Sequence, residues 1–470
     1  MTIIVILEHI PTVDSDPDDL FRIVFSRRDD RTGSLTGIAN SISARLNLQH
    51  TIAAYEQFQS IYRSGILDRH YYGGTIKEIG GGAVSLDNWH TNSIECLNAI
   101  GISLNNELNQ PSWYPIREAI LARLNGIPVT EPLRLVFCTQ DVRFQSFPLE
   151  LSLFIQQNLT ENNRPVSIVI SPNIDDKESI LNKQPRILLI LGCQKKIELP
   201  FSQTEIQGYF PQASFKVLEL PSRSEVLTTI RDGEFDGIIF IAHCQVNPDG
   251  NDGTISINLT DQIAIQDFFN PFQHSVEIGL KFVFIAGCTS IGLARVLSSK
   301  CRVPHVVSFR EPVHYQVVRF FLERLQRYWV SGDHSLEVAI AKIKQDSTAS
   351  QNAMYPGASI LPILFSSPRS SPLKFPQAVI STKSKWHSIT TLITRHQFKL
   401  LAAIGLAVLG FLLITFLPTP DICEVASKTA QISCGEEILL MERDGRSHQE
   451  KEDGVAYIQQ KDYGQGIASL

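Results

Sequence analysis

The sequence has no excess of positive charge, no CxxC pair, no phosphate-loop signature and no leader-like start. Its formal net charge is −6 and its pI about 6.1. The basic face that a nucleic-acid partner requires is therefore missing. The eight cysteines are scattered, at 96, 138, 193, 244, 288, 301, 423 and 434. Without a CxxC spacing a structural zinc site is not expected, and no other metal or cofactor is called for. The run Gly80–Gly82 is not followed by GK[ST], and no G-x-G-x-x-G follows a strand, so that run reads as a flexible turn. The opening "MTIIVILEHIPTVDSD" lacks the basic start and the apolar length of a signal peptide, and reads as a first strand.

What is present is globular. The chain has 470 residues, of which 43% are hydrophobic and 19% charged. That length exceeds one ordinary core and predicts two or more domains. The first six cysteines fall mostly in apolar runs, as buried thiols of a reducing compartment do.

Near the end, residues 400–417 read "LLAAIGLAVLGFLLITFL", 18 residues without a charge. At 1.5 Å rise per residue this covers roughly 27 Å, about one hydrocarbon core, and predicts a single membrane span. Lys374, Lys383, Lys385, Arg395 and Lys399 precede it, whereas Asp421 and Glu424 come before Lys428 on the far side. The positive-inside rule places the N-terminal body in the cytoplasm and the tail outside. The Ser/Pro/Lys-rich stretch 366–388 reads as a linker. Beyond the span, Cys423 and Cys434 are set to form a disulfide outside the cytoplasm. The tail stops mid-pattern at Leu470, as in a piece of a longer protein.

Between about 130 and 365 the pattern alternates strand and helix. "LRLVFC" (133–138), "SIVIS" (167–171), "RILLILGC" (186–193), "FKVLEL" (215–220), "GIIFIAH" (237–243), "KFVFIAGC" (281–288) and "PHVVSF" (304–309) read as strands. Their continuous apolar character predicts an α/β fold with a parallel sheet buried on both faces by helices. "NPDGNDGTISINL" (247–259) reads as an inserted hairpin. After "VVSF" come two helices with a break at Gly332 and a cap at Ser335. The first 110 residues are less regular. "SLTGIANSISARLNLQHTIAAYEQFQSIYRSGI" looks helical and "YYGGTIKEIGGGAVSLDNWH" looks like a loop.

Two of the strands read almost as copies, "DGIIFIAHCQ" and "KFVFIAGCTS". One breaks off at His243 and the other at Cys288, 45 positions later. Reactive groups of open α/β sheets gather at the carboxyl ends of strands. If the strands are neighbours, the imidazole can take the thiol proton and Cys288 can attack a carbonyl. Backbone N–H groups at Cys244 and at Cys288, where "TSIGLARVL" begins, are candidates to hold an oxyanion. Arg310 and Glu311 follow a strand at the same edge, where they either read substrate charge or cap a loop. Asp252, His274 and His305 read as structural.

These stretches resemble the CHAT family, a branch of the caspase/separase-like cysteine peptidases found in cyanobacteria and other bacteria. "FIAHCQ" resembles its F-x-G-H motif, and "FVFIAGCTSIGLARVL" its S-C-x-x-x-G-L-A block. "VPHVVSFREPVHYQVVRFFLERL" resembles the following strand and helix, "VRFQSFPLEL" (142–151) its L-P-W-x-L element, and "MYPGASILPILF" (354–365) its closing strand. Caspase-like chains place the His about 50 residues before the Cys. The resemblance implies a caspase-like, mostly parallel sheet, with His243 as general base and Cys288 as nucleophile. Ala242 and Cys244 stand where the family has Gly before the His, and Gly or Ser after it. On this reading residues 1–109 form a helical or mixed region, 110–369 a CHAT domain, 370–399 a basic linker, 400–417 the span and 418–470 a tail. Function follows as a membrane-anchored cysteine endopeptidase acting on a protein substrate. The alternative is a signalling or scaffold module that couples an outer sensor to a cytoplasmic partner.

Overall fold

Apolar runs of five or six residues, buried from end to end, build the centre of the molecule. A computed structural model describes residues 2–377 apart from 11–18, 29–34, 73–85, 126, 160–163, 173–179, 193–200, 248–251, 288–289 and 369. The span 400–417, Cys423 and Cys434 lie outside the described residues. Among the described residues no helix is long and apolar enough to cross a membrane.

The chain opens with strands β1 (Thr2–Ile10), β2 (Asp19–Arg28) and β3 (Leu35–Leu46), then helices α1 (Gln49–Tyr72), α2 (Leu86–Leu108) and α3 (Tyr114–Leu124). Strand β4 (Leu133–Cys138), the short turn α4 (Val142–Gln145) and β5 (Val166–Ser171) follow. Next come β6 (Arg186–Leu191), α5 (Gln203–Tyr209), β7 (Ser214–Glu219), α6 (Arg223–Asp232) and β8 (Gly237–Ile241). A small insert holds β9 (His243–Val246), β10 (Gly253–Ser256) and β11 (Gln262–Ala264). The chain continues with α7 (Phe269–Ile278), β12 (Phe282–Ala286), α8 (Ile291–Ser299), β13 (His305–Phe309), α9 (Tyr315–Leu325), α10 (Leu336–Ser350) and β14 (Pro362–Ser366).

Eleven strands form one sheet in the order β3-β2-β1-β4-β5-β14-β13-β12-β8-β6-β7. Within it β1, β4 and β5 are parallel, as are β13, β12, β8, β6 and β7. Strand β14 is antiparallel to β13 and touches β5 at one bridge, Phe365 opposite Ile170, parallel in its bonding. One residue pair is too short to set the relative direction of the two groups. Helix α10 sets it. Glu337 in its first turn lies 3.6 Å from Arg134 near the start of β4. Two turns later Lys344 bonds Glu150, beyond the end of β4. Ser366 bonds both Arg134 and His305, which begins β13, while Arg310, just past β13, bonds the Phe147 carbonyl and Glu150. The two groups therefore run the same way, and their carboxyl ends share one edge.

Alternate residues of each strand face opposite cores. Leu188, Ile190, Ile238, Phe240, Val283 and Ile285 pack with α6, α7 and α8. Ile187, Leu189, Ile239, Ile241, Phe282 and Phe284 pack with α1, α2, α5, α9 and α10. Ser222 caps α6 and Ser335 caps α10, each accepting from the backbone N–H three residues on.

Three expectations change. Residues 35–46 are a strand, not a helix: Ile42, Ala44 and Leu46 recur at period two, and β3 pairs with β2 at both of its ends, with a register shift between Ile23 and Phe25. The helix begins only at Gln49. The first 110 residues are not set apart, because β1 pairs in parallel with β4 and Met1–Ala378 is one compact unit. The stretch after β14 is likewise packed rather than free: Leu373 and Phe375 are buried. Trp329 Nε1 donates to the Leu373 carbonyl at 2.9 Å.

Candidate functional site

Strands β8 and β12 are neighbours, as their matching sequences suggest. Their parallel ladder runs from Gly237 opposite Phe282 to Ile241 opposite Ala286. Ala242 and Gly287 come next on each chain, and they touch. A Cβ on Gly287 would lie 2.6 Å from the Ala242 carbonyl oxygen and 2.7 Å from Cys244 Sγ. Glycine is therefore required there, at the last described residue before Cys288. Cys288 itself lies outside the described residues.

His243 is half-buried and begins β9, which leaves the main sheet and pairs with β10, Ser256 opposite His243. Cys244 is opposite Ile255 and only 1% exposed. Its thiol points inward, 3.7 Å from the Ala242 carbonyl. Successive side chains of a strand project to opposite sides, so Cys244 does not crowd the side that His243 faces. Gly192, after β6, packs on the same point: its N–H donates to the Ile241 carbonyl at 2.8 Å, and a Cβ would lie 2.6 Å from the Ala242 Cβ.

Beyond Cys288, Ser290 precedes α8, and its hydroxyl meets that of Ser308 on β13 at 2.8 Å. Helix α8 is buried from Ile291 to Ser298, Arg295 included. Arg295 bonds the Gln145 side-chain oxygen and donates to the Val142 carbonyl at 3.2 Å. Helix α8 is thus held at its start and at its middle.

Arg310 and Glu311 are held inside the protein. Arg310 is 2% exposed and forks onto Glu150 at 2.8 and 3.2 Å. Lys344 bonds the same carboxylate. Burial alone pushes Glu150 up, but the two cations and the Lys344 hydrogen bond hold it down at about 2. Burial brings Lys344 down to about 8, against the pull of Glu150. Glu311 is 1% exposed and accepts from Tyr55 (3.1 Å), Gln59 (2.6 Å) and Arg63 (2.6 Å), all on α1. Burial and then Glu311 push the Tyr55 phenol well up, so it stays a donor. The sequence names Arg310 and Glu311 but gives no sign of these partners.

A second histidine lies at the same edge. Strands β1 and β4 pair up to Glu8 opposite Cys138, so His9 and Thr139 come next together. His9 Nδ1 lies 3.1 Å from Thr139 Oγ1, and its Nε2 lies 3.2 Å from Asp19 Oδ1. The strand sequences "TIIVILEH" and "LRLVFCT" follow the pattern of the His243 and Cys288 strands, and that shared pattern is the signal by which the sequence could reveal this pair. Among the described residues no group of three or more His, Cys, Asp or Glu side chains is placed to hold a metal.

No family model and no curated protein matches this chain. Among solved structures it is similar to separase of Saccharomyces cerevisiae bound to securin, seen in two structures. Their TM-scores are 0.47 and 0.46 and their identities 12% and 11%, over 80% of this chain. The chain spans 30% of the separase chain's length. It is also similar to the Arg-specific cysteine proteinase gingipain R, with a TM-score of 0.36 and 9% identity, over 57% of this chain and 70% of that one.

Proposed function

We propose that this protein is a caspase-like cysteine endopeptidase of the CHAT type, with His243 as general base and Cys288 as nucleophile. One observation carries the reading. His243 and Cys288 each stand one residue past a touching pair, Ala242 and Gly287, on adjacent parallel strands. The first strand pair supplies a measure of what such a register does. His9 and Thr139 are each one residue past Glu8 and Cys138, and their side chains are 3.1 Å apart. That is proton-transfer distance.

In the reaction His243 takes the Cys288 proton, and the thiolate adds to the peptide carbonyl of a protein substrate. Backbone N–H groups at Cys244 and Cys288 stabilise the oxyanion, and α8 directs its N-terminus at the same point. Arg310 and Glu311 act on this reading as the frame of the edge, because internal partners meet their charges. The span at 400–417 anchors the body at the cytoplasmic face, with the tail and its Cys423–Cys434 disulfide outside.

The test is the alkylation rate of Cys288 against pH in the full chain, followed by peptide mass spectrometry. The expected result is an apparent pKa well below the ordinary thiol value of about 8.5, lost in His243→Ala. Turnover of a protein substrate should vanish in Cys288→Ala. A Cys288 thiol that titrates alike with and without His243 excludes the peptidase and leaves the scaffold module.

A further inference from the structure

We propose that Thr139, His9 and Asp19 form a second hydroxyl–imidazole–carboxylate site, the counterpart in β1 and β4 of the His243/Cys288 position, kept closed as a lock. The register is the first argument. In each case a histidine on one strand and a nucleophile-type residue on its parallel neighbour follow a matched pair in sequence, His9 and Thr139 after Glu8 and Cys138, His243 and Cys288 after Ala242 and Gly287. This comparison rests on register and sequence and stands whether or not Cys288 is active.

Hydrogen-bond polarity is the second argument. The Asp141 backbone N–H donates to Thr139 Oγ1 at 3.0 Å. In the proposed site a His9 ring proton sits on Nε2 and is donated to Asp19 Oδ1 at 3.2 Å. In that tautomer Nδ1 is bare and accepts from the Thr139 hydroxyl at 3.1 Å. The order is hydroxyl to imidazole to carboxylate, the polarity of a nucleophile, its base and the group that orients the base.

Burial decides what the site does. Thr139 is 2% exposed and His9 7%. Phe144 meets the His9 ring edge-on at 4.7 Å and Phe21 lies at 5.2 Å, so among the described residues the imidazole is packed against two aromatic rings. The chain of bonds ties β2, through Asp19, to β1 and β4. It extends further, because Gln145 Nε2 donates to the Thr139 carbonyl at 2.7 Å and Gln145 accepts from Arg295 of α8. His9 and Thr139 are thus positioning residues.

Two measurements on the full chain test this. In protein labelled with 15N-histidine, His9 should show a protonated Nε2 and a bare Nδ1, and the Nε2 proton should lose its slow exchange in Asp19→Asn. A protonated Nδ1 in the neutral ring overturns the lock. Separately, Thr139→Cys should create a thiol–imidazole pair, read as thiolate absorbance near neutral pH that His9→Gln removes; no access to the site is needed for that reading. An introduced thiol that is indifferent to His9 overturns the counterpart. Neither readout involves Cys288, so either failure leaves the peptidase reading untouched, and the reverse holds.

Discussion

Gly287 and Cys244 are packed so closely that the thiol of one fills the space where a side chain of the other would begin. A Cβ at 287 would stand 2.7 Å from Cys244 Sγ and 2.6 Å from the Ala242 carbonyl. The first neighbour can rotate away; the second is backbone and cannot. Gly287→Ala is therefore expected to lower stability by about 1–3 kcal/mol, the range of an overpacked core. Adding Cys244→Ala should recover only part of that loss. Denaturant unfolding of the single and double variants checks both statements. Full recovery in the double variant would mean that the backbone contact is unimportant.

The Glu150 cluster sets a pH dependence with two limbs. Its carboxyl is held at about 2, below the ordinary 4.5, so it stabilises the fold above pH 4.5 and loses that contribution as pH falls toward 2. A shift of that size corresponds to about 3 kcal/mol. Lys344 acts in the same sense at the alkaline end of the range. Its amine is lowered from 10.5 to about 8, so between those values the unfolded chain holds more protons and stability rises with pH. Glu150→Gln should remove the acid limb attributable to this site. It should also lower stability at neutral pH by about 3–5 kcal/mol, because Arg310 and Lys344 then face each other without their carboxylate. Unfolding free energies from pH 3 to pH 10 would show both effects, and an unchanged acid limb would remove Glu150 as its source.

Much of this arrangement is legible in the sequence. The seven strands read between 133 and 309 all form, because runs such as Leu188–Ile190 and Ile238–Phe240 are apolar on both faces and leave no competing assignment. The neighbouring positions of β8 and β12 follow from their near-identical wording. Residues 35–46 mislead because their alternation runs without a break into the helical spacing of α1. Burial of Arg310 and Glu311 cannot be read at all. Their partners, Glu150, Lys344, Tyr55, Gln59 and Arg63, are distant in sequence and meet them only when the sheet closes. His9 is hidden for the same reason, since Thr139 lies 130 residues away.

Glu311 fastens α1 to the edge of the sheet. Three donors on successive turns, Tyr55, Gln59 and Arg63, converge on one carboxylate. Glu311→Ala should loosen the middle of α1 and leave β8 and β12 unaffected. Amide hydrogen exchange resolved by segment is the measurement. Faster exchange confined to Tyr55–Arg63 is expected; uniform acceleration across the chain would mean that Glu311 supports the whole fold instead.

The folded body should end near Ala378, past the start of the stretch that reads as linker. Leu373 is fully buried and Phe375 is 3% exposed, against Trp329 at 5.0 Å from the Phe375 ring. Burying such side chains contributes roughly 1.5–3 kcal/mol each. Removing them also takes the Leu373 carbonyl from Trp329 Nε1 and from the Leu336 N–H, and a buried donor left unpaired costs about 1–3 kcal/mol. Together these losses are comparable with the whole stability of an ordinary domain, about 5–15 kcal/mol. A chain ending after Ala378 should therefore unfold at the same denaturant concentration as one carrying the rest of the linker. One ending after Pro372 should be largely unfolded or degraded on expression. Equal stability of the two would place Leu373 and Phe375 outside the cooperative unit, and would move the boundary of the body back to Ser366, at the end of β14.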